Sequence, residues 1–244
     1  MSIKSKVLAS AAALTMVGGV GIAASGAANA ATPSCGHSCL DIFSKDFGTF
    51  HQPSFVLDVY KQGQNVGQPI ILFRTSNSDP AEDFVASAQG TVNDFFLAGL
   101  VSAAVNLHYG GGAVGWPNDE AYELEYAPYG AETGLCVGVG ATAVAGTKVS
   151  LQPCGVSSKT VWIVDPFDSV KQTFTQFELP LINGSDTNFS HPFVLTYPAS
   201  SYPTDNPRPQ LYTANLTGEA NGGFFAQGTV DDNQLWSADL GVLN

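Results

Sequence analysis

The chain has 244 residues, enough for one domain with a sizeable core. Its 21 acidic residues outnumber its 9 lysines and arginines, the formal charge is −12, and no basic block exists. Nucleic acid, anionic lipid and teichoic-acid-like polymers are therefore poor partners on electrostatic grounds, and none is expected. Glycine and proline are spread throughout and no stretch sustains a capped helical period, so the composition predicts an all-β domain of short strands and turns.

Residues 1–30 have the pattern of a secretory signal. Lys4 and Lys6 form a basic start, an Ala/Gly/Val-rich apolar stretch follows, and Ala28-Asn29-Ala30 is a small-x-small cleavage site. The lysine-poor, alanine-rich style is that of a bacterial leader. Cleavage predicts a secreted, extracellular domain over 31–244, and loss of Lys4 and Lys6 takes its formal charge from −12 to −14. No later stretch is long and apolar enough to span a bilayer.

Cys35, Cys39, Cys136 and Cys154 all lie in the exported part. Three pairings are possible, and the two local ones, Cys35–Cys39 and Cys136–Cys154, are expected in an oxidising compartment. The alternative is a metal site helped by His37, but Cys-x-His-x-Cys alone is a weak ligand set, and no metal is expected.

The first apolar strand is Asp41-Ile42-Phe43. Phe55-Val56-Leu57-Asp58-Val59 follows, then Gly67, Ile70-x-Leu72 and Phe84. Val85-Ala86-Ser87 continues from Phe84 to a turn expected near Gln89-Gly90. An insertion runs from Asn93 to Asp119, with an apolar run from Phe95 to Leu107 that fits a strand pair or a short buried helix. The same order then recurs: Tyr122 to Tyr126, Leu135-Cys136-Val137-Gly138-Val139, Gly146, Val149-x-Leu151 and Trp162. It recurs again as Phe177-Glu178-Leu179, Phe193-Val194-Leu195-Thr196-Tyr197, Asn206, Pro209-x-Leu211 and Trp236. In each unit the marked residues stand third and fifth after the turn residue, Gly67, Gly146 or Asn206. A second insertion, 215–232, reads as a long surface loop. Each unit supplies about four strands, about twelve in all.

Cys136-Val137-Gly138-Val139 with Leu151-Gln152-Pro153-Cys154 and Trp162 resembles one repeat of the ricin B-type lectins, and Gln234-Leu235-Trp236 matches their Gln-x-Trp signature. The resemblance covers about Asp41 to Gly241 and implies a β-trefoil, three pseudo-repeats around a threefold axis, here with two long insertions. The chain departs from the pattern in the length of its repeats, in Phe84 standing for tryptophan, and in having one cysteine pair of this kind. It also resembles a secreted actinobacterial protein type, which implies no function. The repeated aromatics Phe84, Trp162 and Trp236 and the leucines Leu72, Leu151 and Leu211 are expected to be structural.

No Gly-x-Ser-x-Gly elbow, His-Glu-x-x-His, phosphate loop or EF-hand pattern is present, so no catalytic residue and no cofactor is expected. Asn183-Gly184-Ser185-Asp186 and Asp231-Asp232-Asn233 are oxygen-rich, but turn chemistry explains both. In the resembled family a sugar site uses a carboxylate two residues after the cysteine position, an aromatic after the strand leucine, and an Asn beside the Gln of Gln-x-Trp. Unit one carries Asp58 and Phe73, with Ala81 and Glu82 in place of Asn and Gln. Unit two has Gly138 and Gln152 and lacks both carboxylate and platform. Unit three carries Gln210, Tyr212, Asn233 and Gln234, with Thr196 in place of the carboxylate and Asp205 nearby in the loop. The resemblance thus implies a non-catalytic glycan-binding module with degenerate sites. The alternative is a β-trefoil that binds an extracellular protein, as the Kunitz soybean-type inhibitors do, through 93–119 or 216–232.

Overall fold

Short runs rich in valine, isoleucine, leucine and aromatic residues, up to eight long, form most of the strands. The computed structural model describes residues 35, 39–44, 47–49, 52–76, 79–111, 118–164, 171–173, 176–198, 206–214 and 230–240, all within one compact unit, Thr32–Asn244. The signal segment 1–30, His37, Asp205 and most of the second insertion lie outside the described residues.

The strands are β1 (Leu40–Ser44), β2 (Gly48–Thr49), β3 (Gln52–Pro53), β4 (Phe55–Val59), β5 (Ile70–Arg74), β6 (Phe84–Thr91), β7 (Glu120–Tyr126) and β8 (Leu135–Val139). They continue with β9 (Val149–Pro153), β10 (Val161–Val164), β11 (Lys171–Thr173), β12 (Gln176–Glu178), β13 (Leu181–Asn183), β14 (Phe193–Thr196), β15 (Gln210–Thr213) and β16 (Trp236–Leu240). Twelve of them join one antiparallel sheet, while β2–β3 and β11–β12 form separate pairs.

The sheet has threefold order. The last strand of each unit pairs with the first of the next: β6 with β7, β10 with β13, and β16 with β1, which closes the ring. Each unit also contributes one hairpin, β4–β5, β8–β9 or β14–β15. The hairpins are tied head to tail. Leu151 N–H donates to Gln68 O, Leu211 N–H to Thr147 O, and Leu72 N–H to Pro207 O, each at 2.9 Å. The acceptors directly follow Gly67, Gly146 and Asn206, whose φ values of 84°, 82° and 50° turn the chain so that the next carbonyl faces the neighbouring unit. This is why glycine, or asparagine once, recurs there. The architecture is all-β and β-trefoil-like, as expected.

The barrel core contains Leu57, Leu72, Phe84, Val137, Leu151, Trp162, Leu195, Leu211 and Trp236, all buried. Trp162 Nε1–H donates to Val137 O at 2.9 Å, and Trp236 Nε1–H to Leu195 O at 2.8 Å. Phe84 fills the third place without a polar edge.

Two details differ from the sequence reading, and a third decides between the strand pair and the short helix that it allowed for Phe95 to Leu107. Phe84–Thr91 is one strand that bulges at Ser87, with a register shift between Ala86 and Ala88, and runs on paired through Gln89-Gly90, where a turn was expected. The first barrel strand of unit three is β13, beginning at Leu181, because it is β13 that pairs with both β10 and β14; Leu179 makes one bridge, to Trp236. The run from Phe95 to Leu107 spans two short helices and the turn between them. Thr91 and Asp94 form a capping box for α1 (Val92–Leu97), and Ser102 caps α2 (Ala103–Tyr109). These helices bury Val92, Phe95, Val105 and Tyr109 against Ala121, Ile163, Ile182 and Val194, making a second core on the outer side of the barrel.

Both expected disulfides are formed, Cys35–Cys39 and Cys136–Cys154. The second joins residues 18 apart across the ends of β8 and β9. Cys136→Ala with Cys154→Ala is expected to cost about 3 kcal/mol by freeing that loop in the unfolded chain. Urea unfolding should show this as a lower midpoint with a steeper slope, because the freed unfolded chain exposes more surface.

Candidate functional site

The three hairpins place equivalent residues on the face turned away from the barrel core. Directly opposed residues of an antiparallel pair share a face. In unit one Asp58 opposes Ile71 and Val56 opposes Phe73. In unit two Gly138 opposes Ser150 and Cys136 opposes Gln152. In unit three Thr196 opposes Gln210 and Val194 opposes Tyr212. Asp58, Gly138 and Thr196 are thus equivalent, as are Phe73, Gln152 and Tyr212. A short 3-10 turn before the last strand of each unit then brings in Glu82, Thr160 or Gln234.

In unit three Tyr212 is 44% exposed and Gln210 is half-buried on the same face. Gln234 is buried, and its Nε2 donates to Thr196 Oγ1 and Thr213 O, both at 3.2 Å. Asn233 Nδ2 donates to Tyr197 O at 2.8 Å. These two amides bind the turn to the hairpin, so the exposed members of the expected set are Tyr212 and Gln210.

Unit two is closed. A Cβ on Gly138 would lie 2.7 Å from Lys159 O and 2.9 Å from Thr160 Cγ2, so the backbone itself occupies the place of a carboxylate. Thr160 Oγ1 donates to the buried Glu123, which also accepts from Gly155 N–H. Gln152 Nε2 donates to Ser150 Oγ at 2.9 Å.

Unit one differs in charge. Phe73 is 40% exposed, while Asp58 on the same face is only 4% exposed. Platform and carboxyl group therefore share a face but not a depth. Asp58 lies beside Glu82, 3% exposed, and half-buried Asp79; one carboxylate oxygen from each falls within 4.8 Å of the others. Both Glu82 oxygens accept from Ser76 N–H, at 2.9 and 3.1 Å. Asp79 Oδ1 accepts from Ala81 N–H, capping the 3-10 turn, and from Gln62 Nε2. Burial pushes the Asp58 carboxyl up to about 7, helped by Asp79. Burial likewise pushes Glu82 up to about 9 against the opposing Ser76 bond, with Asp41, Asp79 and Asp58 adding to the rise.

Asp58 was legible in the sequence as a candidate. Glu82 was visible only as a departure from Gln, and Asp79 and Tyr126 were not singled out. The missed signal is positional, because Asp58 and Glu82 stand where unit three holds the complementary pair Thr196 and Gln234.

The other groupings of ligand-type residues among the described residues include disulfide cysteines, Cys35 and Cys39 with Asp83 and Cys136 and Cys154 with Glu125, whose sulfurs are already bonded to each other. The oxygen-rich stretch at Asn183–Asp186 is turn chemistry, as expected. Asp186 accepts from Asn188 and Phe193 N–H, and Asn183 Oδ1 from Ser185. Among the described residues no helix is long and apolar enough to cross a membrane.

No family model and no curated protein matches the chain. Solved structures do. A designed 3-fold symmetric protein, ThreeFoil, is 14% identical, with 82% of this chain and 97% of that one covered and a TM-score of 0.46. A mosquitocidal holotoxin is 9% identical over 82% of this chain and 17% of its own, TM-score 0.46. The SDF2-like protein from Arabidopsis thaliana is 10% identical over 82% and 91%, TM-score 0.40. The fold assignment rests on the strand order and hairpin ties described above.

Proposed function

We propose that the protein is a secreted, non-catalytic carbohydrate-binding module whose sugar platforms are Phe73 and Tyr212. One observation carries this reading. The aromatics of the barrel, Phe84, Trp162 and Trp236, are buried, whereas the hairpins of units one and three each expose one ring at the same threefold position. An exposed ring on a rigid hairpin can stack on the apolar face of a sugar, with Gln210 beside Tyr212 for hydroxyl groups. The polar partners are few: Gln234 and Asn233 donate within the protein and Asp58 is nearly covered. Affinity is therefore expected in the millimolar range, about −4 kcal/mol.

A glycan array followed by titration tests this. Phe73→Ala and Tyr212→Ala should each weaken binding about tenfold at their own unit, with melting temperature nearly unchanged because the rings are exposed. A wild type that ignores every glycan class would sink the proposal. The second reading, binding of an extracellular protein, is favoured by Leu97 and Leu107, exposed on α1 and α2. It does not take the form of an extended reactive loop over 92–109, most of which is helical.

A further inference from the structure

The geometry points to a divalent-cation site, which we propose is formed by Asp58, Asp79 and Glu82 in unit one and takes a hard ion such as calcium. Three carboxylate groups present oxygens within 4.8 Å of one another. That is the spread of ligands around one ion held by oxygens at about 2.3–2.6 Å. All donors are carboxylate oxygens, a set suited to calcium rather than zinc.

Two further observations single this cluster out. The first is the threefold comparison. In unit three the equivalent pair is complementary, an amide donating to a hydroxyl oxygen. In unit one the pair consists of two acidic groups, both nearly buried, and no basic side chain among the described residues draws either toward its charged form. A dication supplies the charge that the described residues do not.

The second is Tyr126 on β7. Its side chain is fully buried, its ring packs on Phe84 with centroids 6.0 Å apart, and its hydroxyl has no hydrogen-bond partner among the described residues. Asp58 exerts the strongest charge on that hydroxyl, ahead of Asp83 and Asp79, so two of the three carboxylates of the cluster act on it. A buried hydroxyl left without a partner requires one. A water in the ion's shell provides it. Half-buried Asp79, bonded to Gln62 at the surface, leaves the cluster a side open to solvent.

The site is independent of the sugar reading, and Phe73→Ala should leave it intact. Calorimetry of chelator-treated full chain with calcium chloride should show one site per chain. About 2 mM calcium should raise the melting temperature by roughly 3–8 °C. Asp58→Asn, Asp79→Asn and Glu82→Gln should each lower the affinity at least about tenfold. Glu82→Gln recreates the amide of unit three, and Asp79→Asn changes a half-buried residue, so these variants keep the fold. The proposal is overturned if wild type shows neither heat nor thermal shift with calcium, magnesium or manganese. It is overturned equally if Asp79→Asn and Glu82→Gln bind calcium as tightly as wild type.

Discussion

Trp162→Ala is expected to destabilise the protein by about 5 kcal/mol, enough to unfold much of it at 37 °C. The indole is buried in the barrel core among Val137, Leu151 and Leu124. Truncation leaves a cavity, and the surrounding strands cannot collapse into it because each is held in the closed ring. It also orphans Val137 O, the acceptor of the indole N–H at 2.9 Å. Trp162→Phe separates the two effects. Unit one already carries Phe84 at this place, so the ring alone is compatible with the barrel. That variant should lose about 1–3 kcal/mol, mostly the unpaired carbonyl. Urea unfolding followed by circular dichroism measures both. A loss below about 1 kcal/mol for Trp162→Ala would show that the threefold aromatics are not what fills the barrel.

In chelator, stability should fall as pH rises from 5 to 9, by an amount on the order of 4 kcal/mol, or roughly 8–16 °C in melting temperature. The direction follows from the buried acids. Glu82 is raised from 4.5 to about 9 and Asp58 from 3.8 to about 7. Between the unfolded and folded values the unfolded chain has released a proton that the native state keeps. The contribution of this pair is thus greatest below about pH 4, declines from there through pH 7 for Asp58, and continues to decline toward pH 9 for Glu82. Among the described residues the charges acting on them are acidic, those of Asp41 on β1 and of Asp79 before the 3-10 turn, and the Tyr126 hydroxyl on β7 in turn feels Asp58 and Asp79. Glu82→Gln should flatten most of the decline and stabilise the protein at pH 7 by on the order of 3 kcal/mol, since its oxygen can still accept from Ser76 N–H. A wild-type melting temperature that climbs between pH 5 and 9 would contradict the buried pair.

Much of the barrel was legible because it depends on local requirements that repeat. A left-handed turn residue followed by apolar residues at fixed offsets specifies each hairpin, and a large aromatic specifies each core position. Less was legible where a residue's role comes from a distant partner. Phe95 to Leu107 is apolar enough for either strands or helix. The decision lies with Thr91, Asp94 and Ser102, which cap helices, and with the outer faces of β10 and β13, which accept them. β13 is three residues long and shows no periodicity of its own. In the candidate sites, Phe73 and Tyr212 could be placed from the leucine before them. That Gln234 donates inward, that Gly138 leaves no room for a side chain, and that Glu82 meets Asp58 follow only from the registers of the hairpins and turns.

The ring is closed by β1 and β16, paired over five positions from Leu40–Leu240 to Ser44–Trp236. These strands come from opposite ends of the described chain, so the first barrel strand made must wait for the last. During synthesis or passage through a pore, N-terminus first, β1 can meet β4 and β6 early, but one of its edges stays unpaired until Trp236–Leu240 has emerged. An unpaired edge invites pairing with another chain, and closure between the most distant segments is the slowest kind. A chain cut short before Trp236 would therefore be more than a smaller version of the protein: it would carry a permanently open seam and be prone to aggregate.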